Sequence, residues 1–168
     1  MKERDEHDEI LWRRIASPLG DLTLFADNDH LFAVEFVPAG DVLGGGMPGE
    51  NSILRAAERQ IKEYFAGTLK EFDLPLQPVG TDFQMAVWQA MRQIPFGGTM
   101  SYGELAGLVG DRKKARAVGQ AANRNPLAIV IPCHRVIGSN GRLVGYGGGL
   151  DKKELLLRHE SGRGDWQR

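Results

Sequence analysis

The 168-residue sequence contains a single cysteine, Cys133. It can form no internal disulfide and holds no CxxC zinc module. Its four histidines, His7, His30, His134 and His159, are scattered without HExxH or HxxxH spacing, so no metal and no other cofactor is expected. No apolar run approaches the roughly 20 residues that a membrane helix requires. The N-terminus shows no secretory pattern: residues 1–9 carry five acids and read as a mobile acidic tail. These absences together lead to the expectation of a cytoplasmic protein. What is present is ordinary for a globular chain, with 42% hydrophobic and 26% charged residues, and this excludes disorder throughout.

The formal net charge of −1 conceals a polarity. Residues 110–168 carry 12 Lys and Arg against 5 Asp and Glu, whereas residues 1–109 carry 9 against 17. A basic segment can bind a phosphate backbone by counterion release whatever the charge of the whole chain. On charge alone, a solvated basic face is an equal reading.

Residues 12–16, 22–26 and 31–36 are short β-type runs separated by the turn sequences Ser17-Pro-Leu-Gly-Asp21 and Asp27-Asn-Asp29, the pattern of an antiparallel meander. The Gly-rich stretch 38–49 reads as an exposed loop. Ile53, Ala57, Ile61 and Phe65 repeat at helical period, predicting a helix over 52–66 closed by Gly67. Residues 72–76 are a candidate strand. Pro75, Pro78 and Gly80 mark a linker, dividing an N-terminal domain at 10–79 from a C-terminal domain at 80–168.

Two capping boxes follow, Thr81-Asp-Phe-Gln84 and Ser101-Tyr-Gly-Glu104. Gly110 stops the second helix, and Asp111 opens a third over about 113–123, rich in Arg and Lys. Helix, glycine turn and basic helix form the layout of a helix-turn-helix. The apolar run 127–131 suits a buried strand or strand-like segment that leads to Pro132-Cys-His-Arg-Val136. A glycine-rich loop, Tyr146-Gly-Gly-Gly149, and a final amphipathic helix ending near Ser161-Gly162 complete the chain.

A free cysteine is often no more than a small buried hydrophobe, so its surroundings decide. His134 and Arg135 make an electropositive setting expected to favour the nucleophilic thiolate. In an extended segment, Cys133 and His134 would point opposite ways, so a bridging water is the natural link between them. An imidazole base needs an orienting partner. Glu160 is the candidate, because a carboxylate at a helix C-terminus is misplaced unless it has one.

The motif Pro132-Cys-His-Arg-Val136, with Asn125-Pro126 before it and Gly145-Tyr-Gly-Gly-Gly149 after it, resembles the active site of the methylated-DNA–protein-cysteine methyltransferases. The resemblance extends through Thr81-Asp-Phe-Gln84, Ile94-Pro-Phe-Gly97, Ser101-Tyr-Gly-Glu-Leu-Ala106 and Ala115-Arg-Ala-Val-Gly119, dense over about 80–160 and looser before. It implies an α/β N-terminal domain of ribonuclease-H-like type with a small antiparallel sheet. The C-terminal domain would be mostly helical and winged-helix-like, containing the helix-turn-helix.

The implied activity is DNA repair: O6-alkylguanine in duplex DNA, with O4-alkylthymine as a further substrate, is flipped out and its alkyl group moves irreversibly to Cys133. His134 would take the thiol proton through water, with Glu160 behind it. Tyr102 would protonate the leaving guanine, and Asn125 would brace the active-site turn. Ala115, Arg116, Gly119, Tyr102 and Arg135 would contact DNA, Arg116 filling the vacated stack. Val136, Tyr146, Gly147 and Ala128 would form the base pocket. The carbonyls of Cys133 and Val136 would face the guanine amino group. Many members carry Ser at the position of Gly147 and some Pro at that of Ala128, so a roomier pocket is expected here. The protein would be a monomer, with several copies able to line up along DNA. Two rivals remain: a non-catalytic reader of alkylguanine and a cysteine hydrolase.

Overall fold

The computed structural model describes residues 9–36 and 46–162. The expected acidic tail, apart from Glu9, and most of the 38–49 loop lie outside the described residues. The chain divides into two compact units between Pro78 and Val79.

The N-terminal unit is built on β1 (Leu11–Ile15), β2 (Leu22–Ala26) and β3 (Leu31–Phe36), paired antiparallel as the short β-type runs and the turns between them predict. A fourth strand adds a short parallel pairing to the expected small antiparallel sheet. β4 (Met47–Pro48), inside the stretch read as loop, pairs parallel with β1, and the sheet order is β3-β2-β1-β4. Met47 and Gly49 donate their amides to the carbonyls of Ile10 and Trp12. Pro48 lies between them and has no amide to give, which an edge strand tolerates. Helix α1 (Ser52–Ala66) lies against β1–β3 and buries Leu54, Ala57, Ile61 and Tyr64. Asn51 caps its start, and Gly67, at φ 82°, closes it.

The candidate strand at 72–76 is not one. It makes a single bridge, Leu76 to Leu31. Its position is set by the buried Gln60, whose side chain donates to the Asp73 carbonyl and accepts from the Asp73 amide, both at 2.8 Å. A side-chain clasp thus replaces the ladder that the β-type residues suggested.

The C-terminal unit contains α2 (Asp82–Met91), α3 (Tyr102–Leu108), α4 (Ala115–Asn123) and α5 (Leu150–Glu160). Thr81 and Gln84 form the reciprocal capping box, while Ser101 caps α3 by accepting from the Glu104 amide. Asp111 caps a 3-10 turn, Arg112–Lys114, that leads into α4. The helix-turn-helix is therefore α3, this turn and α4. Trp88 anchors α2 to it, its indole donating to the Ala121 carbonyl at 2.9 Å. β5 (Met100–Ser101) pairs parallel with β6 (Val136–Ile137). That pairing brings the start of α3 beside the segment that follows Cys133. No helix among the described residues is long and apolar enough to cross a membrane.

Candidate active site

The apolar run before Cys133 is a folded turn, not a strand. Asn125 organises it. Its side-chain oxygen accepts from the Leu127 amide at 2.9 Å, and its amide nitrogen donates to the carbonyls of Ile131 at 2.8 Å and Leu127 at 3.3 Å. The Ile131 amide returns to the Leu127 carbonyl. This curl puts Ile129 at φ 72°, an outlying conformation for a β-branched residue. An apolar run reads alike for a strand and for a buried turn, so the pattern could not separate them. Cys133–Arg135 then form one 3-10 turn instead of the expected extended segment.

His134 is fully buried, and its Nε2 lies 2.6 Å from Glu160 Oε2. Its Nδ1 is buried with no protein hydrogen-bond partner among the described residues. Burial lowers the imidazole pKa, and the charges of Arg135 and Lys153 add to this, so His134 rests neutral despite Glu160. Burial would raise the Glu160 carboxyl. The hydrogen bonds and charges of His134 and Arg135 overturn that and hold it far below the usual carboxylate range. A neutral imidazole backed by a permanent carboxylate is equipped to act as a base.

Arg135 corrects an expectation. It is 6% exposed, and its guanidinium is bidentate to Glu160, with Nε at 2.7 Å from Oε1 and Nη2 at 3.0 Å from Oε2. Nη1 donates to the Ile94 carbonyl at 2.7 Å. It is thus unavailable for the DNA contact expected of it and holds Glu160 in place instead. The standing thiolate is corrected with it. Burial pushes the Cys133 pKa up, against the pull of Asn125, Lys153 and the nearby backbone amides. With Arg135 tied to Glu160 and His134 neutral, neither supplies the positive charge expected of it, and burial favours the thiol form.

Lys153 is what the sequence reading missed. It is 0% exposed, and its ammonium donates to the carbonyls of Val136, Gly145 (3.0 Å) and Val144 (3.3 Å), with the Tyr102 hydroxyl at 3.5 Å. A signal existed: Lys153 shares one helix face with Leu156 and Glu160, at spacings of three and seven. Tyr102 donates to the Val144 carbonyl. Burial and Cys133 raise its pKa, and that of Tyr146 is raised well above normal by burial, Cys133 and Glu160.

Cys133, His134, Glu160, Asn125, Tyr102, Tyr146 and Val136 therefore belong to one connected cluster. Val136 is fully buried, and Ala128 lies half-buried on the turn that Asn125 braces. A Cβ at Gly147 would meet only the Asn123 carbonyl oxygen, at 3.5 Å, so the space is open there. Arg116 is exposed on α4, Ala115 is half-buried at its first turn, and Gly119 lies against the Tyr102 ring. Among the described residues no group of acids, His or Cys could hold a metal.

Two family models match this chain: the ribonuclease-like domain of 6-O-methylguanine DNA methyltransferase over residues 10–78, and its DNA-binding domain over 82–162. The chain belongs to that family. A methylated-DNA–protein-cysteine methyltransferase of Methanosarcina acetivorans is 49% identical, covering 86% of this chain and 94% of its own. One from Mycobacterium leprae is 47% identical, covering 88% and 90%. The crystal structure of Mycobacterium tuberculosis OGT in complex with DNA is similar with a TM-score of 0.84 at 44% identity, over 92% of this chain and 94% of that one. The two-domain fold is the family's: a small sheet domain and a helical DNA-binding domain.

Proposed function

We propose that this protein repairs DNA by taking the alkyl group from O6 of a flipped guanine onto Cys133, once per molecule. The reaction class, alkyl transfer from DNA to a protein cysteine, comes with the family and its named relatives. The observation that carries the residue roles is His134, which follows the only cysteine in the chain: Nε2 lies on Glu160, and Nδ1 is buried without a hydrogen-bond partner among the described residues. A base in a duplex must leave the stack to be reached. Arg116, exposed on α4, fills the gap it leaves, and Tyr102 and Tyr146 line its path with Val136, Gly147 and Ala128.

The cysteine proton passes to His134 Nδ1 through a water as sulfur attacks the alkyl carbon. The S–C bond forms while the bond from carbon to O6 breaks. Tyr102 turns its hydroxyl from Val144 to guanine N3, so guanine departs neutral. Because the resting group is a thiol, attack and deprotonation are coupled to an occupied pocket, and stray electrophiles meet the less reactive form. The alkyl thioether has no leaving path, so turnover stops. O4-alkylthymine, with the same exocyclic linkage, is a second substrate. The protein acts as a monomer, in the cytoplasm with its DNA.

The test is a duplex carrying one labelled O6-methylguanine, with the protein in limiting amount. One label per molecule on Cys133 is the expected result. No label with retained binding would favour the reader, and repeated turnover would favour a hydrolase.

A further inference from the structure

The turn that opens α4, Arg112–Lys114, carries a cation at every position, and the surroundings of each differ. Lys114 holds its ammonium 5.9 Å from the centroid of the Phe83 ring on α2. Lys113 is exposed. Arg112, also exposed, is laid along α3. A β-carbon on Gly107 would stand 3.3 Å from Arg112 Cγ and 3.9 Å from Cδ, and one on Gly103 would stand 3.9 Å from Nη2. The stem thus runs back over two glycines and brings the guanidinium beside Gly103, next in the chain to Tyr102. We propose that Arg112 is a positioning residue that grips one phosphate of the DNA strand at the rim of the base pocket and so fixes the register of the nucleotide to be flipped. This rests on the proposed alkyl transfer, in which Tyr102 and Arg116 act on the same nucleotide.

The course of the stem is built into α3. Glycine weakens a helix interior through its backbone entropy, yet α3 carries Gly103 and Gly107 among its seven residues. Four residues apart, they lie on one face of the helix. At Gly107 a side chain would begin closer to Arg112 than two carbons sit at optimal separation. The two glycines therefore leave a track that the arginine stem occupies.

The guanidinium itself is left to an external partner. Among the described residues it makes no hydrogen bond or ion pair. The neighbouring acid, Asp111, uses Oδ1 to accept the Lys113 amide. Gly119 of α4 lies against the Tyr102 ring, and Arg116 is exposed on the same helix. The free guanidinium, Tyr102 and α4 thus adjoin one another. A base leaves the stack by rotation about its own backbone, so a phosphate held at this rim fixes which nucleotide turns inward. Arginine suits that task, because its planar fork presents paired N–H donors to a phosphate where lysine presents a point charge.

The test uses the full chain and duplexes carrying one labelled O6-methylguanine. The phosphates around the lesion are replaced one at a time by neutral methylphosphonate linkages, and fluorescence anisotropy gives the affinity. In the wild type, one linkage should weaken binding by about tenfold, well beyond the others. Arg112→Ala should weaken binding of the unmodified duplex by about tenfold, lower the salt slope by about one unit, and no longer respond to that linkage. Arg112→Lys keeps the charge and should recover only a minor part of the loss. Gly107→Gln keeps the arginine and fills its track. It should also lose affinity several-fold, while melting no lower than the wild type, since glutamine favours an exposed helix position over glycine.

The same linkage pattern in wild type and Arg112→Ala would overturn the proposal and make Arg112 one charge in a diffuse basic field. Full recovery in Arg112→Lys, or wild-type affinity in Gly107→Gln, would overturn it as well. If the wild type binds the duplex but takes no label, the proposed function fails, while the linkage pattern still decides the role of Arg112.

Discussion

Helix α5 buries a charge near each end, and the two surroundings differ. Around Glu160, charge meets charge: His134 and Arg135 close on the carboxylate at 2.6 to 3.0 Å, and its ionised form is held far beyond need. Around Lys153, dipoles dominate: carbonyls and a hydroxyl accept, no carboxylate among the described residues pairs with it, and burial lowers its pKa to about 8. The first is a permanent brace for the base. The second is a marginal charge, kept buried by neutral acceptors.

The largest expected effect touches what both regions serve. Cys133→Ser should fold, bind alkylated duplex and transfer nothing. Methyl label on the serine or any other residue would show that the cluster is not organised around sulfur.

Next is the brace. Glu160→Gln leaves the Arg135 guanidinium buried without its counter-charge, which costs about 3–5 kcal/mol, read by urea unfolding, and transfer should slow with it. Lys153→Met should cost well under half of that, because it removes a buried charge that burial already disfavours. Equal losses would break the contrast drawn between the two regions.

Alkylation of Cys133 should act on both. An added methyl overpacks the site by about 1–3 kcal/mol and removes the thiol proton from its path to His134. Thermal unfolding before and after complete reaction with a methylated oligonucleotide should show a lower melting point. An unchanged or higher one would mean that Gly147 and Ala128 leave room to spare.

Acidity sharpens the comparison, because the two charges act at opposite ends of the pH scale. The folded Glu160 pKa lies below its unfolded value of about 4.3. Its stabilisation is therefore present above that value and fades as pH falls toward the folded one. The folded Lys153 pKa also lies below its unfolded value, here of about 10.4, but for a cation this means that the folded state sheds its proton first. Stability attributable to Lys153 should therefore rise with pH from about 8 upward. Difference curves of wild type against Glu160→Gln and against Lys153→Met, taken across pH, should bend at these separate ends.

The smallest effect lies outside both regions. Arg116→Ala should leave duplex affinity almost intact, with the salt slope reduced by no more than about one unit. A fluorescent reporter should nonetheless show weaker base extrusion. Equal extrusion would make Arg116 a surface charge.

Much of this was legible in the residues. β-type runs between turn sequences marked β1, β2 and β3, helical period and Gly67 marked α1, and the Thr81 box marked α2. These signals are local, because periodicity and caps act within a few residues. Cys133, His134, Asn125 and Tyr102 were legible through the linked motifs of the family, and Glu160 through a carboxylate at a helix end that calls for a partner. The 72–76 segment and the 127–131 run were misread because a side chain, Gln60 in one case and Asn125 in the other, replaced the strand partner that their composition suggested.

By itself, then, the sequence determined the helices, most of their caps, the antiparallel strands, the lone nucleophile and its family. Only the tertiary structure decided the electrostatics. Arg135 sits beside the cysteine in the chain yet pairs with Glu160, while Lys153, twenty residues along, takes up the carbonyls around the site. Whether a cysteine rests as thiol or thiolate depends on which charges face it and how much water is left, and both are properties of packing at a distance.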